Sequence, residues 1–134
     1  MSAKFWTAYR TARSARITGN GSLTLVSGYL SQRPSKGALL QGAINAAVEA
    51  LGRGLALEMA PVRVNTVAPG LIDTPIRATM PADQKQKMFD QAAATLPARR
   101  VGQPEDVADA ILMLMTNPFT TGSTLFVDGG GSIA

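Results

Sequence analysis

The chain has 134 residues, a net charge of +4, and 46% apolar against 16% charged residues, a balance that argues against wholesale disorder and suits one compact domain over 1–134. It contains neither cysteine nor histidine, which excludes disulfides and thiolate metal sites and removes the commonest metal ligand and the commonest general base. No apolar run approaches the ~20 residues of a bilayer span, so a metal-free, cytoplasmic protein is expected.

Residues 3–17 ("AKFWTAYRTARSARI") place aromatics at 5, 6 and 9 and arginines at 10, 13 and 16, a helical pattern. "TGNG" (18–21) follows, with glycine suited to a helix C-cap. The charge in this region is one-sided: Lys4, Arg10, Arg13, Arg16, Arg33 and Lys36 all precede the first acid, Glu49, so the chain is +6 before that position and −2 from it onward. An acid-free, arginine-bearing start has the composition of a transit peptide. A core-like strand follows at once, however, and a helix parted from its acidic neighbours is the better reading. The basic residues form no dense patch and no aromatic platform is interleaved with them, so nucleic acid is not an expected partner.

"SLTLV" (22–26) reads as a short strand and "SGYLSQRPSKG" (27–37) as a polar loop marked by glycine and proline. Residues 38–59 form a helix rich in Ala, Gly and Leu, with Glu49 and Arg53 spaced as an i,i+4 ion pair. "VRVNTV" (62–67) is a strand, and "APG" (68–70) turns out of it. A polar helix spans 81–96. Another starts at Pro104, Glu105 and Asp106 and runs to about 116, because proline fits a first helical turn and acids suit its positive end. "STLFVD" (123–128) is the last strand, followed by "GGG". Strands alternating with helices imply an α/β fold with right-handed crossovers and a parallel sheet of strands 22–26, 63–67 and 123–128, covered by helices on both faces. The helix at 38–59 is expected on one face and that at 104–116 on the other.

Three blocks carry a family pattern: "RVN-V-PG---T" (63–74), "G-PEDVA" (102–108) and "G----VDGG" (122–130), in that order and spacing. With "AAVEAL" before them, they make the chain resemble the C-terminal half of the short-chain dehydrogenases/reductases, from Lys4 onward. The resemblance implies a partial, doubly wound Rossmann-like sheet and NAD or NADP as cofactor. It also implies that the glycine-rich pyrophosphate turn belongs to a preceding half that this sequence does not contain. "GNG" (19–21) precedes a strand, and "GGG" follows the last one, so neither meets the strand–turn–helix context of such a turn. By resemblance, Pro69, Gly70, Leu71 and Ile72 set backbone groups against the nicotinamide carboxamide, with Thr74 hydrogen-bonding nearby; the plainer reading is an exit turn and a capping threonine.

The family's catalytic tyrosine, and its lysine four residues on, fall on Gln41 and Asn45. The family serine falls on Gly28, one position after Ser27, and the family asparagine on Lys4. Reduction of a carbonyl requires an acid to protonate the forming alkoxide, and a neutral amide has no proton to give near pH 7. Gln41 and Asn45 share one helix face and either mark an active-site location without its acid–base pair or simply solvate the first helical turn. Tyr29 is either a displaced acid or a packing residue. The segment 76–96 matches the family's substrate lid, where Met80, Met88 and Phe89 face a ligand or pack as core. The expectation is a truncated, NAD(P)-linked oxidoreductase deficient in catalysis, a pseudoenzyme as the chain stands. Its rival is a non-catalytic module that forms a homo-oligomer through the helices at 3–17 and 38–59 and the terminal strand.

Overall fold

The computed structural model describes residues 3–75 and 78–134; the first two positions of the lid segment therefore lie outside the described residues. Helices α1 (Ala3–Ser14), α2 (Leu39–Glu58), α3 (Ala82–Thr95) and α4 (Pro104–Thr116) surround strands β1 (Ser22–Val26), β2 (Arg63–Pro69) and β3 (Thr124–Val127). The strands form one sheet in the order β1-β2-β3, parallel throughout, with Leu23 opposite Val64, Val26 opposite Val67, and Val67 opposite Leu125. The expected α/β class and three-stranded parallel sheet hold.

Alternate residues of β2 serve opposite faces. Val64 packs with Leu25, Val48, Leu55 and Ala12, the core that α1 and α2 lay against the sheet. Gly52 lets α2 approach closely there, since a Cβ at that position would fall 2.5 Å from Thr66 Oγ1. On the other face, Arg63 donates through Nη1 to Leu114 O and through Nη2 to Met115 O, both at 2.7 Å. Asn65 Nδ2 donates to Thr120 O at 2.8 Å. The last turn of α4 and the loop after it are thereby tied to that face.

This arrangement corrects one expectation. The steps from β1 to β2 and from β2 to β3 go the same way across the sheet, yet their helices lie on opposite faces, so the two crossovers have opposite hands. One of the two crossovers is therefore an exception to the right-handed rule. The long stretch from Gly70 to Gln103, which includes α3, lets α4 come round to the face that α1 and α2 leave open.

Element ends also differ from expectation. α1 stops at Ser14 rather than at 17, and none of the glycines at 19–21 takes the left-handed conformation of a C-cap. Ser14 Oγ donates instead to Arg10 O at 2.9 Å, giving one terminal carbonyl a local partner. β2 runs on to Pro69 because β3 continues to pair with it there.

Candidate functional site

β1 and β2 are parallel and end at the same edge of the sheet. Their ladder continues one residue past β1, with Ser27 N donating to Val67 O at 2.8 Å, which sets Ser27 and Gly28 beside the strand exit at Pro69. The chain then makes a short turn, Tyr29–Ser31, and α2 starts against it. Contact this close depends on Gly42, where a Cβ would lie 2.8 Å from Leu30 O. Glycine there lowers the first turn of α2 onto the strand exits. The result is a cavity of about 350 Å³ lined by Ser27, Gly28, Tyr29, Leu30, Gln41, Asn45, Pro69, Gly70 and Leu71. Ile72 and Thr74 lie one step along, in a neighbouring cavity of about 360 Å³ that Pro69, Gly70, Pro104 and Val107 also line. Gly28, Gln41, Asn45, Tyr29 and the 69–72 turn with Thr74 thus lie around two adjoining cavities at the carboxyl ends of parallel strands, where open α/β sheets bind ligands.

The two amides of α2 differ. Gln41 is exposed, whereas Asn45 is 2% exposed. Solvation of a helix end accounts for the first and not the second. Asn45 Oδ1 accepts the ammonium of Lys4 at 2.7 Å, and the same ammonium donates to Ser27 O at 2.7 Å. The stem of Lys4 is exposed on the first turn of α1, but its charged end is drawn in between β1 and α2. Burial lowers its pKa below the ordinary lysine value, and the Glu49 carboxylate acts in the opposite sense.

Glu49 is itself buried and accepts Ser27 Oγ at 3.0 Å. The expected Glu49–Arg53 ion pair is not among the contacts of the described residues, because the carboxylate turns inward while Arg53 stays exposed. Lys4, Ser27, Asn45 and Glu49 therefore form one polar cluster beneath the cavity. The Glu49 contact was open to inference, since it sits one turn beyond Asn45 on the same helix face. Nothing local announces the Lys4 contact.

Around the strand exit, Gly70 N donates to Val127 O (2.9 Å) and Leu71 O accepts Gly102 N (3.0 Å). Leu71 N and Gly28 N, in residues that line the first cavity, keep no acceptor among the described residues. Tyr29 packs towards the C-terminal glycines, its Cε2 lying 3.4 Å from where a Cβ of Gly131 would be. In the lid segment, Lys85 Nζ pairs with Asp73 at 2.8 Å and sits 5.2 Å from the centre of the Phe89 ring. Met80, Met88 and Phe89 are half-buried, and none lines the two cavities at the strand exits. At the start of α4, Arg100 grips Asp106 with two bonds of 2.7 Å, and Asp106 also accepts Gln103 N at 2.7 Å. These donors hold the Asp106 carboxyl well below the usual carboxylate range. Among the described residues, no group of three His, Cys, Asp or Glu is placed to hold a metal ion, and no helix is long and apolar enough to cross a membrane.

The family model for enoyl-(acyl carrier protein) reductases matches residues 2–132. The putative ketoacyl reductase 2 of the granaticin polyketide synthase from Streptomyces violaceoruber is 42% identical over 117 residues, which are 87% of this chain and 46% of that protein. A small-chain dehydrogenase solved in complex with NADPH superposes with a TM-score of 0.89 at 39% identity, covering 98% of this chain and 61% of that one. A short chain oxidoreductase from Pseudomonas aeruginosa PAO1, NADPH-bound and containing an atypical catalytic center, superposes at 0.83 with 30% identity over 98% of this chain and 55% of that one. The chain spans about half the length of the curated relatives that it matches.

Proposed function

The chain belongs to the short-chain dehydrogenase/reductase family, and from that premise we propose that it forms the nicotinamide and substrate corner of an NAD(P)-linked oxidoreductase site, deficient in catalysis as this chain stands. One observation carries the reading: the cavity at the strand exits presents amides, Gln41 and Asn45, where the family has its proton donor and the lysine that tunes it. The bound dinucleotide would supply hydride. The chain's own residues would receive its nicotinamide end, with Leu71 N as an open backbone donor and Thr74 beside it in the adjoining cavity. Both cavities are of a size for a single ring, and the chain has no glycine-rich turn for the pyrophosphate.

Tyr29 lines the same cavity, but its ring packs towards Gly131 and no amino group supports its phenol. The ammonium nearest the cluster, that of Lys4, is taken up by Ser27 O and Asn45 Oδ1. Substrate oxygen can be hydrogen-bonded here, but the proton that completes a reduction has no tuned source. The NADPH-bound Pseudomonas oxidoreductase with an atypical catalytic center supports the companion point that an altered centre and nicotinamide binding coexist on this fold. The same reading takes the chain to be one domain, and cytoplasmic.

Calorimetry with NADH and NADPH tests the reading. A few backbone hydrogen bonds, each net ~1 kcal/mol, set against association costs of several kcal/mol, give an affinity no better than about millimolar. Turnover of ketones is expected to be undetectable, and Gln41→Tyr with Asn45→Lys is expected not to restore it. Micromolar binding by the chain, or turnover by the double variant, would overturn the reading.

A second reading, a homo-oligomeric interaction module, is favoured by exposed apolar residues on α2 and in the loop after α4. Leu39, Leu40 and Leu57 of α2 are 80%, 75% and 84% exposed, and Phe119 after α4 is 98% exposed. Sedimentation of Leu39→Ser/Leu40→Ser against the unmodified chain tests it, with a fall in mass expected if α2 is the contact.

A further inference from the structure

Lys4, Gly28 and Asn45 constrain one another, and the constraint fixes which way a buried amide faces. An ammonium has three donors and no acceptor, so the Asn45 amide must present Oδ1 to Lys4 Nζ, 2.7 Å away. Its Nδ2 must then point the other way, towards Gly28. A Cβ at Gly28 would come within 2.8 Å of that nitrogen, so even alanine there would crowd the amide. Asn45 is 2% exposed and lines the cavity, and its Nδ2 has no acceptor among the described residues. Among the described residues the fully buried side-chain polar atoms without a partner are Thr24 Oγ1 and Ser31 Oγ, not Asn45 Nδ2, so this N–H keeps access to the cavity and is a donor free to meet an oxygen there.

We propose that Lys4 is a positioning residue: it orients and polarises the Asn45 amide so that Nδ2–H serves as the cavity's donor to a carbonyl or hydroxyl oxygen, in space that Gly28 keeps open. The proposal rests on the reading of this cavity as the substrate and nicotinamide corner, and adds the group that would hold the oxygen. Two features favour it over a merely structural contact. The ammonium is anchored a second time, on Ser27 O at 2.7 Å, which holds it as a donor against the oxygen side of the amide. A carbonyl already bonded to a cation strengthens its own N–H as a donor, because chained hydrogen bonds polarise one another. Glu49, one turn on, does not line the cavity and is occupied by the Ser27 hydroxyl, which leaves Asn45 as the α2 side chain of this cluster that lines it.

The test reads the Asn45 side-chain amide directly, in transverse-relaxation-optimised NMR spectra of the ¹⁵N-labelled full chain. Without ligand, the two Nδ2 protons are expected to be well separated. They should collapse towards free-amide positions in Lys4→Met, stay separated in Lys4→Arg, and shift in Gly28→Ala, where Lys4 is intact. An Asn45 pair that is the same in Lys4→Met and Gly28→Ala as in the unmodified chain would overturn the proposal, whatever the cavity binds. In a titration with cyclohexanone, and in a second with NADPH, the pair is expected to move together with the backbone amides of Gly70 and Leu71. Movement at Gly70 and Leu71 while Asn45 stays still would overturn the donor role alone. No movement at any of the three would overturn it together with the reading of the cavity.

Discussion

Asn45 and Lys4 meet at 2.7 Å, and the family resemblance would put a lysine at the first position and an asparagine at the second. Restoring lysine at 45 alone would bring a second ammonium to within a few ångströms of Lys4 Nζ, now 2.7 Å from Asn45 Oδ1. Like charges ~4 Å apart repel by about 4 kcal/mol at an effective dielectric of ~20, and partial exposure of Lys4 reduces this. Asn45→Lys is expected to destabilise the chain by roughly 1–3 kcal/mol in urea unfolding. Adding Lys4→Asn should return most of the loss. Equal stability of the single and double variants would show that the two positions do not communicate. The same repulsion is a reason to expect that the pair Gln41→Tyr and Asn45→Lys fails to restore chemistry while Lys4 is in place.

At the scale of elements, α4 is held at both ends by charge. At its start, Asp106 is kept ionised by Arg100 and Gln103 N. A carboxyl whose pKa is depressed by folding contributes stability that is present above its unfolded value, near 4, and lost as pH falls below it. Asp106→Asn is therefore expected to flatten the fall in unfolding midpoint between pH 4.5 and about 2, and to change little at pH 7, where an exposed pair is worth little. An unchanged acid limb would refute the assignment. At its end, Arg63 reaches from β2 to two of the carbonyls that the last turn leaves open. Arg63→Met should cost about 1–2 kcal/mol through these charge-assisted bonds and the helix dipole. The loss should appear as earlier hydrogen exchange in α4, with β2 itself protected.

For the molecule as a whole, β1 pairs with β2 on one side only, and among the described residues its other edge carries no strand. "SLTLV" has neither charge nor proline to discourage pairing. Along that edge, residues of α1 and β1 line a mainly apolar cavity of about 510 Å³ that Leu23, Leu25 and Val26 share with Ala3, Lys4 and Thr7. The isolated chain is expected to associate at tens of micromolar. Multi-angle light scattering checks this: a stable monomer at those concentrations would count against it, and a Thr24→Lys variant that reverts to monomer would locate the contact at the edge.

Much of this architecture is local in origin and therefore legible in the residues. Runs such as "SLTLV" and "VRVNTV", alternating with helical stretches, determine an α/β fold with a parallel sheet, since parallel strands require long crossovers. Pro104, Glu105 and Asp106 determine where α4 begins, because capping and dipole effects act within one turn. The family resemblance, and not spacing alone, implied that Gln41, Asn45 and the 69–72 turn would lie together, and the structure gathers them around adjoining cavities. Tertiary structure alone decided the rest. Lys4 and Asn45 are 41 positions apart, and no periodicity relates them until α1 docks on α2. Glu49 had a surface partner at helical spacing worth a few tenths of a kcal/mol. Burial raised the demand for a donor on its carboxylate above that, and Ser27 met it. The face taken by α4 likewise followed from which side of the sheet remained uncovered, a property of the assembled layers and of no single segment.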